Sequence, residues 1–375
     1  MDRRAFIKSI SAIALSGAVK VLGASQIDLH GQFRKGGKRL PELRVVVVGS
    51  GGWLFIKEYF YSIESYPKID LTPEQIMFIG RTGMIFEGPR PKDQDPLSWD
   101  FSIEGEGCER DIDRIEDFKK YFNESRSEIA RFIQPSDWVI LVASLDNGMA
   151  FVACDEVAQM CRDVGARMIG LVGAPYHGVI ENPGRRAKLE KASDEVVNRM
   201  IENGHPLSLD KGYWGGSPDQ PTKWSWYRQI GVVGMIYQAT QNAQIEMFSG
   251  MVAGSSRLNC AYGLGHSAVE AIQEAIDFDW EWTTRLDGKS RTAAGAVIRV
   301  SGNPYFLEIL RAEVLAELQN PGQFKRDGLP YWRANAKFIV IAAPDQWGAE
   351  DEEDVYFFVD VLSTGFESTS MQFSG

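Results

Sequence analysis

The chain has few of the residues from which metal centres and disulfide frameworks are built. Its 375 residues include four cysteines, Cys108, Cys154, Cys161 and Cys260, and four histidines. No two cysteines stand as C-x-x-C and no Cys/His spacing resembles a zinc site, so metal chemistry is not expected. Cys154 and Cys161 fall seven apart on one expected helix, about 10 Å along its axis, which is beyond the reach of a disulfide. They read as small buried hydrophobes. Positive charge is also short. Forty Lys and Arg against 51 Asp and Glu leave a net charge of -11, and broad attraction to nucleic acid or anionic lipid needs clustered base. The acid is spread out except for the run Glu350 to Asp354, which reads as a solvated turn. No internal repeat is present, and no apolar run is long enough to span a bilayer comfortably.

What is there begins with a leader. "MDRRAFIKSISAIALSGAVKVLGAS", residues 1–25, has a basic start, an apolar stretch from Ile10 to Ala24 broken by Lys20, and small residues at its end. Arg3-Arg4 followed by Ala5-Phe6-Ile7-Lys8 resembles a twin-arginine export signal, although no clean A-x-A precedes Gln26. Export to the periplasm is the expectation, with a cytoplasmic chain as the alternative and no membrane span beyond the leader. Residues 26–41, rich in Gly, Lys and Arg, read as a linker.

The body opens on "LRVVVVGSGGW", a β-branched run, a glycine turn and a helical stretch, as in a nucleotide-fold α/β unit. The third glycine of a dinucleotide fingerprint would fall on Leu54. Further on, spacing predicts a helix around 124–134, strand 138–143, helix 147–164 and strand 167–172. In the second helix Phe151, Cys154, Val157, Ala158, Cys161 and Val164 share one face, while Asp155, Glu156, Gln159, Arg162 and Asp163 share the other. Asn147 can cap its start and Gly165 its end. Such a crossover is right-handed and puts ligand loops at the strand carboxyl ends. The Gly, Pro and Trp-rich segment 203–226 reads as a packed flap or a contact surface. After a helix from Trp226 to Thr240 come "YGLGHSAVEAIQEAI", the strand "AAGAVIRVSG", a helix from Tyr305 to Leu318 and two closing strands, "NAKFIVIAAP" and "DVYFFVDVLSTGF". That order suggests a smaller α+β domain ending in an adjacent strand pair.

Six phrases in this order resemble the FtsZ/tubulin family over about residues 43–366. They are "ESRSEIARFIQPSDWVILVA", "EVAQMCRDVGARMIGLVGAPY", "RQIGVVGMIYQAT", "GLGHSAVEAIQEAI", "AGAVIRVSGNPYFLEILRAEVLAEL" and "ANAKFIVIAAPDQWGAEDEEDVYFFVDVLSTGF". The resemblance implies an α/β fold: a Rossmann-type GTPase domain over 42–223, a central helix over 224–244 and a smaller α+β domain over 245–368, with a tail at 369–375. It further implies GTP at the first domain's loops, hydrolysed when the next subunit's synergy loop supplies acid to the γ-phosphate.

The residues at those positions depart from the pattern. The glycine-rich signature falls on Asp146, Asn147, Gly148, Met149, Ala150, Phe151 and Val152, where only Gly148 is kept. Side chains at Phe151 and Val152 are expected to block the approach of backbone to phosphate or to forbid a positive φ. An ionised Asp146 would repel a triphosphate oxygen by roughly 4 kcal/mol at about 4 Å and an effective dielectric near 20. The first loop keeps Gly49, Ser50, Gly51 and Gly52, but Trp53 and Ile56 replace a small residue and a ligand-contacting Asn. The base-reading Asp would fall near Trp224 or Ser225. The synergy loop reads Gln244, Glu246 and Ser249, with serine in place of a catalytic acid.

The sequence therefore suggests a pseudo-GTPase that needs no cofactor and acts by assembly, as a homo-oligomer or filament, or by binding a protein partner. Two alternatives stay open. One is a divergent enzyme that binds and hydrolyses GTP. The other is an exported Rossmann oxidoreductase carrying nicotinamide or flavin, with His177 as a conceivable acid or base.

Overall fold

The computed structural model describes residues 41–49, 75–81, 102–103, 115–145, 148–173, 183–210, 223–240, 244–278, 292–302, 306–344 and 357–366. The expected leader, Cys108, half of the Trp-rich segment 203–226, the acidic run and the tail lie outside the described residues.

The first half is a parallel sheet of β1 (Leu43–Val48), β2 (Ile76–Arg81), β3 (Ser102–Ile103), β4 (Trp138–Ser144), β5 (Arg167–Gly173) and β6 (Leu207–Asp210). Their spatial order is β6-β5-β4-β1-β2-β3. Strands such as LRVVVV and WVILVAS are apolar except for Arg44 and Ser144 near their ends, because helices cover both sheet faces. One face packs on α1 (Ile115–Phe132), α2 (Gly148–Val164) and α3 (Pro183–Glu202), with Val139, Leu141, Phe122, Phe151 and Val157 in the shared core. The other face packs on α4 (Lys223–Thr240) and α5 (Ile245–Val252) through Val233, Ile236, Phe248 and Met251.

The expected helix at 147–164 is observed from Gly148, buried along the predicted face from Phe151 to Cys161. It ends as Gly165 predicts. Gly165 sits at φ +75°, its N–H donates to Arg162 O (3.2 Å), and the Ala166 N–H donates to Cys161 O (2.8 Å). That pair of bonds is a Schellman cap. Helix α3 ends the same way around Gly204, where the His205 N–H reaches Met200 O (3.0 Å). The His205 ring is 5% exposed and its Nε2 bonds Ala158 O at 2.8 Å, which ties α3 to α2.

The two halves share one sheet. β6 meets β7 (Arg257–Gly265) at a single residue pair, Leu207 with Arg257. The rest of the second half comprises α6 (Ala268–Phe278), β8 (Ala293–Gly302), α7 (Leu307–Glu317), a small hairpin of β9 (Lys325–Arg326) and β10 (Leu329–Pro330), β11 (Trp332–Pro344) and β12 (Phe357–Phe366). Its order is β11-β8-β12-β7. The closing strands are therefore neighbours in sequence but not in space. The α7 crossover lays β11 parallel to β8 on the outer edge, and β12 returns antiparallel between β8 and β7. Arg299 and Asp360 face each other across β8 and β12 with Nε to Oδ2 at 2.8 Å, and Arg299 is only 3% exposed. A one-residue slip would strand both charges, so the pair fixes the register.

The glycines of "YGLGHS" serve helix packing. A Cβ on Gly263 would lie 1.9 Å from Ala271 O, and one on Gly265 would lie 2.6 Å from Ala271 N. Helix α6 is thus seated directly on the β7 backbone. Gly263→Ala is expected to destabilise the protein by about 3 kcal/mol or more, because backbone rather than a side chain must move. Urea unfolding checks this.

His205 generates a pH dependence. Burial lowers its affinity for a proton, the bond to Ala158 O opposes this, and the Arg162 charge adds to it. The unfolded chain takes up that proton near pH 6.5 and the folded chain only at lower pH. Its contribution to stability is therefore complete above about pH 6.5 and lost as pH falls below it. The urea midpoint is expected to drop between pH 7.5 and 5.5, and to drop less in His205→Gln.

Candidate functional site

In a sheet of this order the ligand crevice lies where strands on either side of one position lead away in opposite directions, between β1 and β4. The register sets Val48 beside Ala143, so Gly49 and Ser144 emerge side by side at the carboxyl ends. Gly49 has φ +67°, a conformation that needs glycine there. Ser144 is 1% exposed, and its Oγ has no hydrogen-bond partner among the described residues. The joint from β4 to α2 is short. The Leu145 N–H donates to Gly173 O (3.0 Å), and the helix has begun by Gly148. The first amides of α2 are donors without partners inside the helix, and no acid occupies its first turn.

Residues 149–152 lie within the expected helix. Met149, Ala150, Phe151 and Val152 are at most 3% exposed, lie in the first turns of α2 and belong to the core between helix and sheet. None has a positive φ. The side chains from which an obstruction was foreseen make core contacts beneath the helix. Ser50, Gly51, Gly52, Trp53, Ile56, Asp146, Asn147 and His177 lie outside the described residues. Trp224 and Ser225 fall in the first turn of α4.

The synergy-loop residues lie at the other end of the sheet. Gln244 precedes α5 without making a side-chain cap bond, and Glu246 is exposed in its first turn. The Ser249 hydroxyl donates to Ile245 O (2.6 Å) and accepts from Arg167 Nη1 (2.5 Å). Arg167 is the first residue of β5, and its guanidinium also lies 5.3 Å from the Trp138 ring centre. Trp138 in turn packs on Phe248 at 5.0 Å. Beside them Asp137, fully buried, accepts from Arg44 Nε (2.8 Å) and from the Glu42 N–H (3.1 Å). Seven residues of β4 separate this end from Gly148, roughly 20 Å.

Arg167, Asp137, Arg44 and Ser144 were not foreseen as parts of either end. Arg167 and Ser249 are 82 positions apart, and no local pattern links them. A cleft of about 270 Å³ between α2 and α3 is lined by Asp155, Glu156, Gln159, Arg199, Glu202 and Asn203. It opens to solvent on the helical layer, where Arg199 already pairs with Asp155 at 2.9 Å. Among the described residues no cluster of His, Cys, Asp and Glu could hold a metal ion, and no helix is long and apolar enough to cross a membrane.

No family model and no curated protein matches the chain. Solved structures do. A tryptophan-to-tyrosine mutant of FtsZ from M. jannaschii is 19% identical, covering 87% of this chain and 92% of that one, with a TM-score of 0.59. An empty FtsZ dimer from M. jannaschii is 18% identical over 88% and 94%, with a TM-score of 0.57. CetZ from Methanosaeta thermophila is 14% identical over 88% and 87%, with a TM-score of 0.54. The chain has the FtsZ/tubulin-like fold. The oxidoreductase reading gains no support from any of these likenesses.

Helix α5 is held mainly by burial, since Phe248 is fully buried while Arg167 is exposed. Phe248→Ala is expected to cost about 4 kcal/mol and Ser249→Ala about 1 kcal/mol. Urea unfolding of the two variants measures the difference.

Proposed function

We propose that the chain is an FtsZ-like assembly protein that does not hydrolyse GTP. The observation that carries this reading is the engagement of Ser249. A synergy loop acts by presenting a carboxylate that orients water toward a γ-phosphate. Here the side chain at that place is a hydroxyl whose proton goes to Ile245 O and whose oxygen takes the Arg167 guanidinium. Glu246 is exposed on the adjacent turn, but Arg167 beside Ser249 would draw an attacking water's lone pairs rather than its proton.

The short joint after β4 also supports the proposal. A phosphate cradle uses several consecutive amides along a glycine-rich turn. With Leu145 bonded to Gly173 O and the helix begun at Gly148, two residues remain between them, Asp146 and Asn147. Both are of the types that cap helix amides, a role that would set them against a phosphate for the same donors.

The separation of the two ends, roughly 20 Å, supports head-to-tail assembly, in which successive copies bring opposite ends together in a heterologous contact that propagates. Loss of nucleotide dependence is compatible with export by the twin-arginine leader, because nucleoside triphosphates are scarce outside the cytoplasm.

A divergent GTPase is the second reading, and the φ of Gly49 together with the start of α2 at the carboxyl end of the sheet favours it. Isothermal titration of the full chain with GTP and magnesium, with phosphate release followed in parallel, separates the two. The expected result is no saturable heat and phosphate release equal to the buffer control. Tight magnesium-dependent binding with turnover would establish the second reading instead.

A further inference from the structure

Strand β7 is accompanied on one side only. β12 pairs with it from Gly265 back to Arg257, whereas among the described residues β6 meets it at Leu207 and Arg257 alone. At that pair the Leu207 N–H donates to Ser256 O (3.2 Å). Backbone groups alternate sides along a strand, so the even-numbered residues of β7 turn their N–H and C=O toward β6 and the odd-numbered ones toward β12. Once β6 has parted from it, the even-numbered groups line an edge.

That edge reaches solvent at its carboxyl half. Tyr262 and Leu264 are 38% and 49% exposed, and His266 just beyond the strand is exposed as well. Tyr262 stacks on Phe358 of β12 at 6.3 Å, which sets an apolar strip beside the edge. An exposed strand edge flanked by apolar side chains is a template for adding another strand.

Helix α6 covers the donors. Glu274 Oε2 accepts from the Leu264 N–H, and Glu270 Oε2 accepts from the His266 N–H (3.0 Å). Both amides belong to even-numbered residues, as the alternation requires. The two glutamates stand one helical turn apart on a helix seated directly on β7 at Gly263 and Gly265, so both carboxylates arrive at the same edge. Glu270 has a local task besides, because its own N–H donates to Ser267 Oγ (3.2 Å) in a capping box. Glu274 lies in mid-helix, where no helix amide needs a cap, and its bond reaches back ten residues to the strand.

The strand that this edge fits is its own copy. Set antiparallel about Gly263, two β7 edges bring Leu264 opposite the second copy's Tyr262, an isologous contact that puts apolar side chains together on one face. Leu264 and His266 supply donors for that ladder, and both are occupied.

We infer that the carboxyl half of β7 is a closed strand-pairing edge: Glu274, with Glu270 beside it, holds the donors that a second copy's β7 needs and so keeps the sheet from extending between molecules. This does not rest on the head-to-tail reading, which concerns the ends of the strands rather than this edge.

Sedimentation velocity of the full chain at one concentration compares the wild type with Glu274→Ala and Glu274→Gln. Glu274→Ala releases the Leu264 donor while leaving the capping pair of Ser267 and Glu270 in place. It is expected to self-associate about tenfold more tightly than the wild type, which is the scale of one bond to a charged acceptor. Glu274→Gln keeps an acceptor and is expected to sediment as the wild type does. Hydrogen–deuterium exchange locates the contact: in Glu274→Ala, protection over residues 260–266 is expected to rise with protein concentration. Glu274→Ala sedimenting as the wild type overturns the inference. Association shared equally by the Gln variant, or association without protection at 260–266, overturns it too, since neither comes from a released N–H. Each readout is a difference between variants, so a wild-type chain that assembles head to tail and one that stays monomeric test it alike.

Discussion

Strand direction is the constraint on which the rest depends. In the ten-stranded sheet β12 alone runs against the others, so almost every loop belongs to one of two opposite ends. Gly49, Ser144 and the start of α2 are on the carboxyl side. Ser249, Arg167 and Asp137 are on the amino side. The apolar layers fix this polarity, because parallel strands buried on both faces can be joined only by helices that return the chain to its starting end.

The coupling between halves is unevenly distributed. Between β6 and β7 the sheet narrows to the pair Leu207 and Arg257, and continuity depends instead on the core that α4 and α5 share with strands of both halves. Val233, Ile236, Phe248, Leu258, Val297 and Leu362 all belong to it. Phe248 against Trp138 is one of its contacts, and Arg167 on Ser249 lies at its edge. The place where the family resemblance puts catalytic acid is here part of what joins the halves.

Much of this was legible in local pattern. The β-branched run at Leu43–Val48, the apolar run from Trp138 and the period of α2 reflect burial on two faces or one, which composition reports directly. Gly165 was readable because a left-handed residue after a helix favours glycine. Other features had no local signal. The insertion of β12 between β7 and β8 depends on a crossover, and the pairing of Arg299 with Asp360, 61 positions apart, follows only from that insertion. Gly263 and Gly265 stand in a glycine-rich phrase with no local sign of their use, which is to let a helix rest on a strand. Phe151 and Val152 carried two readings, as part of helix 147–164 and as obstructions to a phosphate, and the structure places both in the core beneath that helix.

That placement gives the account a direct test at the amides of Gly148 to Phe151. Hydrogen–deuterium exchange of the full chain, followed over this segment with and without GTP and magnesium, reads those donors themselves. The account predicts identical exchange in both conditions. Strong protection of these amides by GTP would contradict it, because the carboxyl end would then still cradle a phosphate.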